Sequence, residues 1–238
     1  VDGLVLERLR ALEPGTGRDV RRVADLGCGV CASLCRLAKV LPLKGIGFTI
    51  SAEQVTRSRQ RIEEQGLTGT VECMKADFCA LPPGLGQVDL AFSIEAFVHA
   101  PNSDDYFREC ARLIRPGGTL IVCDDFIADA QYERGHRASR WIDRFRRGWF
   151  ARSACTEADA RERAARAGFS HVETVDLTPY LEIRRPRDYA IGALMRTLGW
   201  LPIQNNYWLM LYGGHALQIG LKRGWVKHSF VVWRRNPT

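Results

Sequence analysis

The chain has 238 residues, of which 46% are hydrophobic and 26% charged, as in an ordinary globular protein. It contains no apolar run near the ~18 residues that a membrane span requires and no basic-then-apolar leader, so we expect a cytoplasmic protein without a membrane span. The formal charge of +7 is uneven: residues 1–125 carry 15 Lys and Arg against 17 Asp and Glu, and residues 126–238 carry 19 against 10. A nucleic acid, an anionic lipid surface, a phosphorylated substrate or a plain solvated surface would each suit the basic half. The first residue is Val1, which leaves open whether residues precede it.

Strands and helices alternate through the first half of the chain. In order we predict a helix over 4–12, a strand at Val23–Leu26, a helix at Ala32–Val40, a strand at Lys44–Ile50, a helix capped by Ser51 and closed by Gly66, strands at Val71–Lys75 and Val88–Ser93, a helix at Asp104–Ile114 stopped by Arg115-Pro116-Gly117-Gly118, and a strand at Thr119–Cys123. This alternation predicts a parallel sheet with helices on both faces and a ligand site at the carboxyl ends of its strands.

The second half is less regular. We predict a capped helix over Thr156–Ala167, a strand at His171–Leu177, mainly helical structure over 186–224 with a break at Pro202, and a last strand beginning at Lys227. Tyr212-Gly213-Gly214-His215 is interpreted as an interruption in the last of these helices.

The run Val23-Ala24-Asp25-Leu26-Gly27-Cys28-Gly29 reads as a buried strand ending in a glycine turn that opens a helix. Glycines let the backbone turn tightly and approach a ligand without interference from a Cβ atom. Asp25 can accept hydrogen bonds from an ammonium group, which favours a cofactor with an amino-acid end over one with a pyrophosphate.

The eight cysteines are interpreted as reduced thiols. Cys28-x-x-Cys31-x-x-x-Cys35 has the look of a metal-binding run, but it spans the glycine turn and lacks a matching Cys or His pair downstream. The sequence therefore predicts no metal site.

Four motifs in register carry a family resemblance. They are Asp25-Leu26-Gly27-Cys28-Gly29, Gly47-Phe48-Thr49-Ile50-Ser51-Ala52-Glu53-Gln54, Ala76-Asp77-Phe78, and Leu113-Ile114-Arg115-Pro116-Gly117-Gly118. Together they resemble the class I S-adenosylmethionine-dependent methyltransferases, closely over residues 20–125 and in general plan beyond. The segment Ser93-Ile94-Glu95-Ala96-Phe97-Val98-His99-Ala100-Pro101 is most similar to the sterol C-methyltransferases, and the second-strand segment to bacterial enzymes acting on prenyl diphosphates, lipids and natural products.

The resemblance implies an α/β fold with a doubly wound, mostly parallel, Rossmann-like sheet of seven strands, the last one antiparallel. We expect one domain over 1–238, with a cofactor-binding core at 20–125, helical cap or lid segments at 126–150 and 186–224, and the last strand at 227–234.

The resemblance also implies S-adenosyl-L-methionine as cofactor. The backbone of Gly27, Cys28 and Gly29 would face its methionine part, with Asp25 near the amino group. The second strand lacks the acidic residue that many members use for the ribose, so this role passes to Thr49, Ser51 and Gln54. The residues expected around the adenine and the end of the fourth strand are Asp77, as acceptor from the amino group, Phe78 and Ile94.

Glu95 and His99 follow the fourth strand and are the candidate catalytic residues. If residues 95–99 begin a helical turn, both side chains lie on one face, where either can take a proton or stabilise a carbocation. A helix-capping or core histidine is the alternative for His99.

The substrate site is expected in the variable second half, where aromatic residues are concentrated. The candidates are Trp149, Tyr207, Trp208, Tyr212 and His215, although such residues also serve as ordinary core. Arg184, Arg185 and Arg187 around Pro186 offer a phosphate site or an exposed basic surface.

The resulting hypothesis is methyl transfer to a hydrophobic small molecule, first of all C-methylation of a terpenoid or lipid-like natural product. The alternative is O- or N-methylation of a polyketide, alkaloid or phenolic. An RNA methyltransferase is disfavoured because the chain has no Asn/Asp-Pro-Pro-Tyr motif, and no nucleic-acid partner is expected. A nicotinamide reductase is disfavoured because the third glycine of its motif is missing. Homo-oligomerisation stays open.

Overall fold

The computed structural model describes residues 1–12, 20–128, 136–183, 185–198 and 205–237. Seven strands form one sheet in the order β3-β2-β1-β4-β5-β7-β6. Their bounds are β1 Arg21–Leu26, β2 Leu43–Thr49, β3 Val71–Lys75, β4 Val88–Ile94, β5 Ile114–Ile127, β6 Phe169–Asp176 and β7 Val226–Arg235. Strand β7 runs antiparallel to both β5 and β6, and the other pairings are parallel. The predicted doubly wound, mostly parallel sheet is confirmed.

Eight α-helices lie in the described part of the chain. Their bounds are α1 Asp2–Arg10, α2 Ala32–Val40, α3 Ala52–Glu64, α4 Ser103–Leu113, α5 His136–Gly148, α6 Glu157–Arg166, α7 Pro186–Leu198 and α8 Asn206–Lys222. Ser51 caps α3 as predicted, its hydroxyl accepting from the backbone N–H of Gln54. Within the described residues no helix is long and apolar enough to cross a membrane.

The sheet is buried on both faces, which explains why its central strands are almost continuously apolar. Alternate residues of β1 enter different cores: Ala24 and Leu26 pack into one hydrophobic cluster, whereas Val23 packs into the other. A third cluster joins α5 and α8 beside the end of β5. The carboxyl ends of the parallel strands therefore lie beneath a helical layer that the second half of the chain supplies.

Strand β5 is longer at both ends than the sequence predicts. Residues 115–118, expected as a turn, belong to the strand because Arg115 is held at its start by an ion pair of 2.7 Å between its Nε and Oδ1 of the fully buried Asp89. Three extra residues of β5 are accommodated by an irregularity in the β4–β5 pairing, in which Val88 pairs with Ile114 and Leu90 with Thr119. At the other end, pairing with β7 extends the strand to Ile127.

The predicted interruption of the last helix is wrong, because α8 runs unbroken through Gly213 and Gly214. The glycines instead permit close contact between helices: a Cβ atom on Gly213 would lie 2.6 Å from the carbonyl carbon of Gly148 in α5. Parts of both predicted lid segments lie outside the described residues, which omit 129–135, 184 and 199–204. Arg184 and the predicted break at Pro202 are among the residues that are not described.

Candidate active site

A cavity of about 670 Å³ opens at the carboxyl ends of β1, β2 and β4. This volume is in the range of sites for drug-sized ligands and cofactors. Seven of the ten predicted cofactor residues line it: Gly27, Gly29, Thr49, Gln54, Asp77, Phe78 and Ile94. Asp25, Cys28 and Ser51 do not.

The glycine turn is fixed to the neighbouring strand by its own backbone. The amides of Gly27 and Cys28 both donate to the carbonyl oxygen of Phe48, at 3.0 and 2.9 Å. Gly27 has φ +89°, and a Cβ atom there would lie 2.4 Å from the Cβ of Ala96. Only glycine fits this position, both for its conformation and for the space available.

Polar groups at the end of β2 form a small network. The Thr49 hydroxyl donates to the Gln54 side-chain oxygen at 2.5 Å, and both side chains line the cavity. The Ser51 hydroxyl is used by the N-terminus of α3, which explains its absence from the cavity wall. Thr49 and Gln54 are therefore the polar groups that can meet ribose hydroxyls at this end of the cavity.

Asp77 and Phe78 follow β3 and also line the cavity, with the Phe78 ring close to the glycine turn: its Cε1 would lie 3.5 Å from a Cβ atom on Gly27. Oδ1 of Asp77 accepts from the backbone N–H of Cys79 at 2.8 Å, which orients the carboxylate and leaves its second oxygen for a ligand. The Phe78 ring packs edge-on against Tyr106, with ring centroids 5.5 Å apart, so that it is held in place as a flat apolar wall.

Asp25 lies at the end of β1, beneath the cavity, and is only 4% exposed. Burial, and then the charges of Asp2 and Cys73, raise the pKa of its carboxyl well above the ordinary value. A buried carboxylate of this kind is stabilised by a cationic partner, and the ammonium group of an amino acid supplies one. The acidic residue thus fits the cofactor that the resemblance implies.

We expect Asp25→Asn to weaken binding of S-adenosylhomocysteine about 10- to 100-fold, since hydrogen bonds to charged groups contribute ~1.5–3 kcal/mol. An ammonium group favours the ionised carboxyl, so binding should release a proton wherever the pH lies below the raised pKa of free Asp25. Calorimetry in two buffers of different ionisation enthalpy measures both effects. Proton release that persists unchanged in Asp25→Asn would exclude this role for Asp25.

Glu95 and His99 both line the first cavity, the one of about 670 Å³, which we call the cofactor cavity. Both side chains are exposed. Residues 95–99 do not begin the helical turn that would place both side chains on one face. Glu95 has φ +51°, and a short 3₁₀ turn begins only at Phe97. A left-handed conformation at a residue other than glycine costs free energy, and such strain is common where a side chain must be aimed at a ligand. The backbone N–H of Glu95 donates to the carbonyl of Cys123 at 2.8 Å, which fixes this residue to β5.

A second cavity of about 970 Å³ adjoins the first, and Glu95 lines both. Its walls come from α7, α8 and the edge of the sheet, and they are largely apolar. The wall residues are Glu95, Asp125, Trp149, Leu181, Ile183, Arg187, Asp188, Ala190, Ile191, Leu194, Tyr207, Met210, Leu211, Gly214, His215, Leu217, Gln218, Leu221 and His228.

Three of the five predicted substrate residues, Trp149, Tyr207 and His215, line this cavity. Trp208 and Tyr212 do not, because they occupy a different face of α8 from the cavity-lining positions, which recur at helical spacing. Tyr212 instead lies against the guanidinium of Arg144, 5.3 Å from the ring centroid.

A buried polar pair at the floor of the second cavity was not predicted. Nδ1 of His228 lies 2.9 Å from Oδ1 of Asp125, and Nε2 lies 3.4 Å from the Sγ of Cys123. Burial opposes the charge of the imidazole, but the hydrogen bond to Asp125 and the contact with Cys123 outweigh it and raise the pKa of His228 to about 10. The hydrogen bond to Asp125 thus favours the protonated imidazole of His228 at neutral pH.

Asp124 stands beside this pair and points away from the cavity wall. Its Oδ2 accepts from the backbone N–H of Val98 at 3.1 Å, and Oδ1 accepts from that of Asp125 at 2.9 Å. Burial and the charge of Asp125 raise the pKa of Asp124 to about 7. Asp124 thus connects the end of β5 to the turn that follows Glu95.

The strand order, the glycine turn at the end of β1 and the buried carboxylate beneath it define a class I methyltransferase fold with a cofactor site. A family model described as a methyltransferase domain matches residues 24–122. Residues 24–122 therefore form a class I S-adenosylmethionine-dependent methyltransferase domain, whose cofactor is S-adenosyl-L-methionine.

Curated relatives cover part of the chain. A methyltransferase, GfsG, of Streptomyces halstedii is 35% identical over 103 residues, which are 43% of this chain and 37% of that protein. Cycloartenol-C-24-methyltransferase 1 of Oryza sativa subsp. japonica is 30% identical over 136 residues, 57% of this chain and 39% of that protein. The chain thus spans well under half the length of both relatives.

The solved structure of a geranyl diphosphate methyltransferase in complex with S-adenosylmethionine matches the fold of nearly the whole chain. It has a TM-score of 0.74 and 18% sequence identity, and the match covers 98% of this chain and 84% of that one. At this level of identity the likeness concerns the fold, including the helical layer above the sheet.

Proposed function

We propose that this protein methylates a hydrophobic small molecule bound in the second cavity, and that the acceptor is a carbon atom of a terpenoid or other lipid-like natural product. The observation that carries the proposal is the position of Glu95, which forms part of the wall of both cavities. A methyl donor in the first cavity and an acceptor in the second would then meet beside one carboxylate.

When bound, S-adenosylmethionine supplies an electrophilic methyl group on a positively charged sulfur. The protein's main task is to align the acceptor with that group and to exclude water. When an alkene carbon forms its bond to the methyl and the carbon–sulfur bond breaks, the acceptor becomes a carbocation. In this proposal the Glu95 carboxylate stabilises this charge and takes the proton whose loss restores the double bond.

The lining of the second cavity favours an acceptor without a diphosphate group. Among its described wall residues Arg187 is the one Lys or Arg, and its Nε lies 3.7 Å from Oδ1 of Asp188. Arg185, which the sequence offers as a phosphate ligand, pairs with Glu182 at 2.6 Å. Diphosphates are bound by several cations acting together, so a weakly polar acceptor suits these walls better.

O-methylation of a phenol or other hydroxyl compound is the second candidate. The Asp125–His228 pair at the cavity floor supports it, because a polar pair can hold the polar end of such a molecule by hydrogen bonds. Such an acceptor must lose its own proton, and Glu95 would again be the base. None of the eight cysteines is joined in a disulfide, which supports action in a reducing cytoplasm.

Glu95→Gln keeps the shape of the side chain and removes its charge. We expect it to lower kcat about 10²-fold or more while leaving affinity for S-adenosylhomocysteine nearly unchanged, as is usual for a positioned proton acceptor. His99→Asn is the matched comparison, because His99 lines the cofactor cavity but not the second cavity. A larger loss in His99→Asn than in Glu95→Gln would assign the base to His99.

The acceptor class is tested by supplying methyl-labelled cofactor with three panels of compounds: prenyl alcohols and sterols, prenyl diphosphates, and phenols. Mass spectrometry and NMR of the product locate the new methyl on carbon or on oxygen. Label on a carbon of an uncharged terpenoid supports the first candidate and label on oxygen the second. Transfer confined to the diphosphates would overturn the interpretation of the cavity walls.

A further inference from the structure

Three buried cysteines meet at the glycine turn of residues 27–29, which we call the cofactor turn. Cys28 lies between the two glycines of the turn, Cys31 immediately precedes α2, and Cys73 lies in the edge strand β3. Their Sγ atoms all lie within 4.8 Å of one another, and those of Cys28 and Cys73 are 3.8 Å apart. The sequence places Cys35 next to the first two, but in the structure Cys73 of β3 is the third member of the cluster.

The spacing of these sulfurs matches a thiolate metal site. Zinc lies ~2.3 Å from a cysteine sulfur, and two sulfurs of a tetrahedral zinc site are then ~3.8 Å apart. Three sulfurs around an ion in one plane would be ~4.0 Å apart at the same bond length. The Sγ atoms of Cys28 and Cys73, 3.8 Å apart, already have the tetrahedral spacing. No two of the three Sγ atoms are more than 4.8 Å apart, so the most widely separated pair must approach by at most ~1 Å to reach it.

The backbone leaves room for the sulfurs at one defined place. Gly47 of β2 lies opposite Cys73 in the strand pairing. A Cβ atom on Gly47 would lie 2.5 Å from the Sγ of Cys31 and 2.8 Å from that of Cys28. Any larger residue would expel the thiols, so the space above Gly47 is occupied by the side chains of Cys28 and Cys31.

Two further features distinguish the cluster from ordinary core thiols. Cys31 has φ +55° at the start of α2, a strained conformation that aims its side chain inward rather than capping the helix. Ser58, which is fully buried, contacts the side chains of Cys31 and Cys73 and donates to the carbonyl of Gly29 at 3.4 Å. Its hydroxyl oxygen, or a water molecule, can complete a set of four ligands.

An ion can reach the cluster from outside. A cavity of about 510 Å³ on the side of β3 and α3 is lined in part by Cys73, together with Glu63, Glu72 and one cationic residue, Arg59. With two carboxylates against one guanidinium, the wall has a net negative charge, which favours the approach of a cation. Cys73 is therefore the ligand that faces the entry path, and Cys28 and Cys31 lie behind it.

We propose that Cys28, Cys31 and Cys73 bind a thiophilic divalent cation, with Zn²⁺ as the ion they suit best. Three thiolates and one divalent ion leave a net charge of −1, whereas a monovalent ion would leave −2 in the same buried place. The ion would join the cofactor turn to β3 and so hold the turn in its ligand-binding shape. This inference replaces the sequence-based expectation of no metal site and is independent of the acceptor.

The test uses the full chain, freed of metal by a chelator under reducing conditions, and compares it with Cys73→Ala and with Cys155→Ala, whose thiol is remote and half-buried. Titration with Zn²⁺ against a chromophoric chelator should give one equivalent in the wild type and in Cys155→Ala. Cys73→Ala should bind at least ~10²-fold more weakly. Equal zinc affinity in the three proteins would overturn the proposal.

Two measurements on the wild type alone keep the test decisive if Cys73→Ala fails to fold. Zn²⁺ should raise Tm in a concentration-dependent way, since an ion that binds only the folded chain stabilises it. Co²⁺ substituted at the site should give a thiolate-to-metal charge-transfer band. A Tm that zinc leaves unchanged, or a cobalt form without that band, would equally refute the site.

Discussion

Gly27→Ala is expected to abolish measurable cofactor binding. The new Cβ atom would lie 2.4 Å from the Cβ of Ala96 and would also require φ +89° of a residue that rarely adopts it. Since Ala96 follows Glu95 directly, the turn at the end of β1 and the turn at the end of β4 would be pushed apart. Affinity for S-adenosylhomocysteine should fall at least ~10²-fold, which calorimetry or a thermal-shift titration measures.

Gly29→Ala is the control for this substitution. Gly29 also has a positive φ, +53°, and lines the same cavity, but a Cβ atom there would meet no atom within 4 Å. We expect a loss of roughly 1–2 kcal/mol of stability from the left-handed conformation and a smaller loss of affinity. Equal loss of affinity in both variants would mean that backbone conformation, rather than the contact with Ala96, decides the effect.

Gly213→Ala is expected to lower the free energy of unfolding by about 3 kcal/mol and to impair substrate binding. Its Cβ atom would lie 2.6–2.7 Å from backbone atoms of Gly148, which cannot rotate away as a side chain can. Helices α5 and α8 would have to separate, and the second cavity, lined by Trp149 and Gly214, lies beside their contact. Urea unfolding and the KM for the acceptor measure the two effects.

Gly3→Ala provides the reference for replacing a helical glycine. Gly3 lies in α1 with open space around its Cα, so alanine should raise stability by up to ~1 kcal/mol through helix propensity alone. If Gly213→Ala were as stable as Gly3→Ala relative to the wild type, the two helices would not be in the close contact described.

Most residues of the first cavity could be predicted from the sequence because their signals are local. Gly27, Gly29, Thr49, Gln54 and Asp77 each lie within a few residues of a strand end, and parallel strands bring their ends to one edge of the sheet. Ser51 shows the limit of this reasoning, because a hydroxyl at a strand end also caps the helix that follows.

The second cavity could not be predicted in the same way. Asp125 and His228 are 103 positions apart, and they meet only because β7 runs antiparallel and brings its start to the edge where β5 ends. A pair of acidic residues after an apolar strand was the available signal, but Asp124 and Asp125 were placed beyond the expected end of β5. Aromatic content alone did not show which aromatic residues line the cavity: Tyr207 lies on the cavity face of α8, whereas Trp208 lies on a different face of the same helix.

The position of β7 between β5 and β6 has a consequence for how the chain folds. Strand β6 is synthesised before β7 and bonds to no other strand of the described sheet, so it has nothing to join until residues 226–235 are available. Until then β5 also presents an unpaired edge with an apolar run at residues 120–123, and unpaired strand edges of this kind associate with other chains. A nascent chain that stops short of β7 should therefore be more prone to aggregate and more dependent on chaperones than one that has passed it.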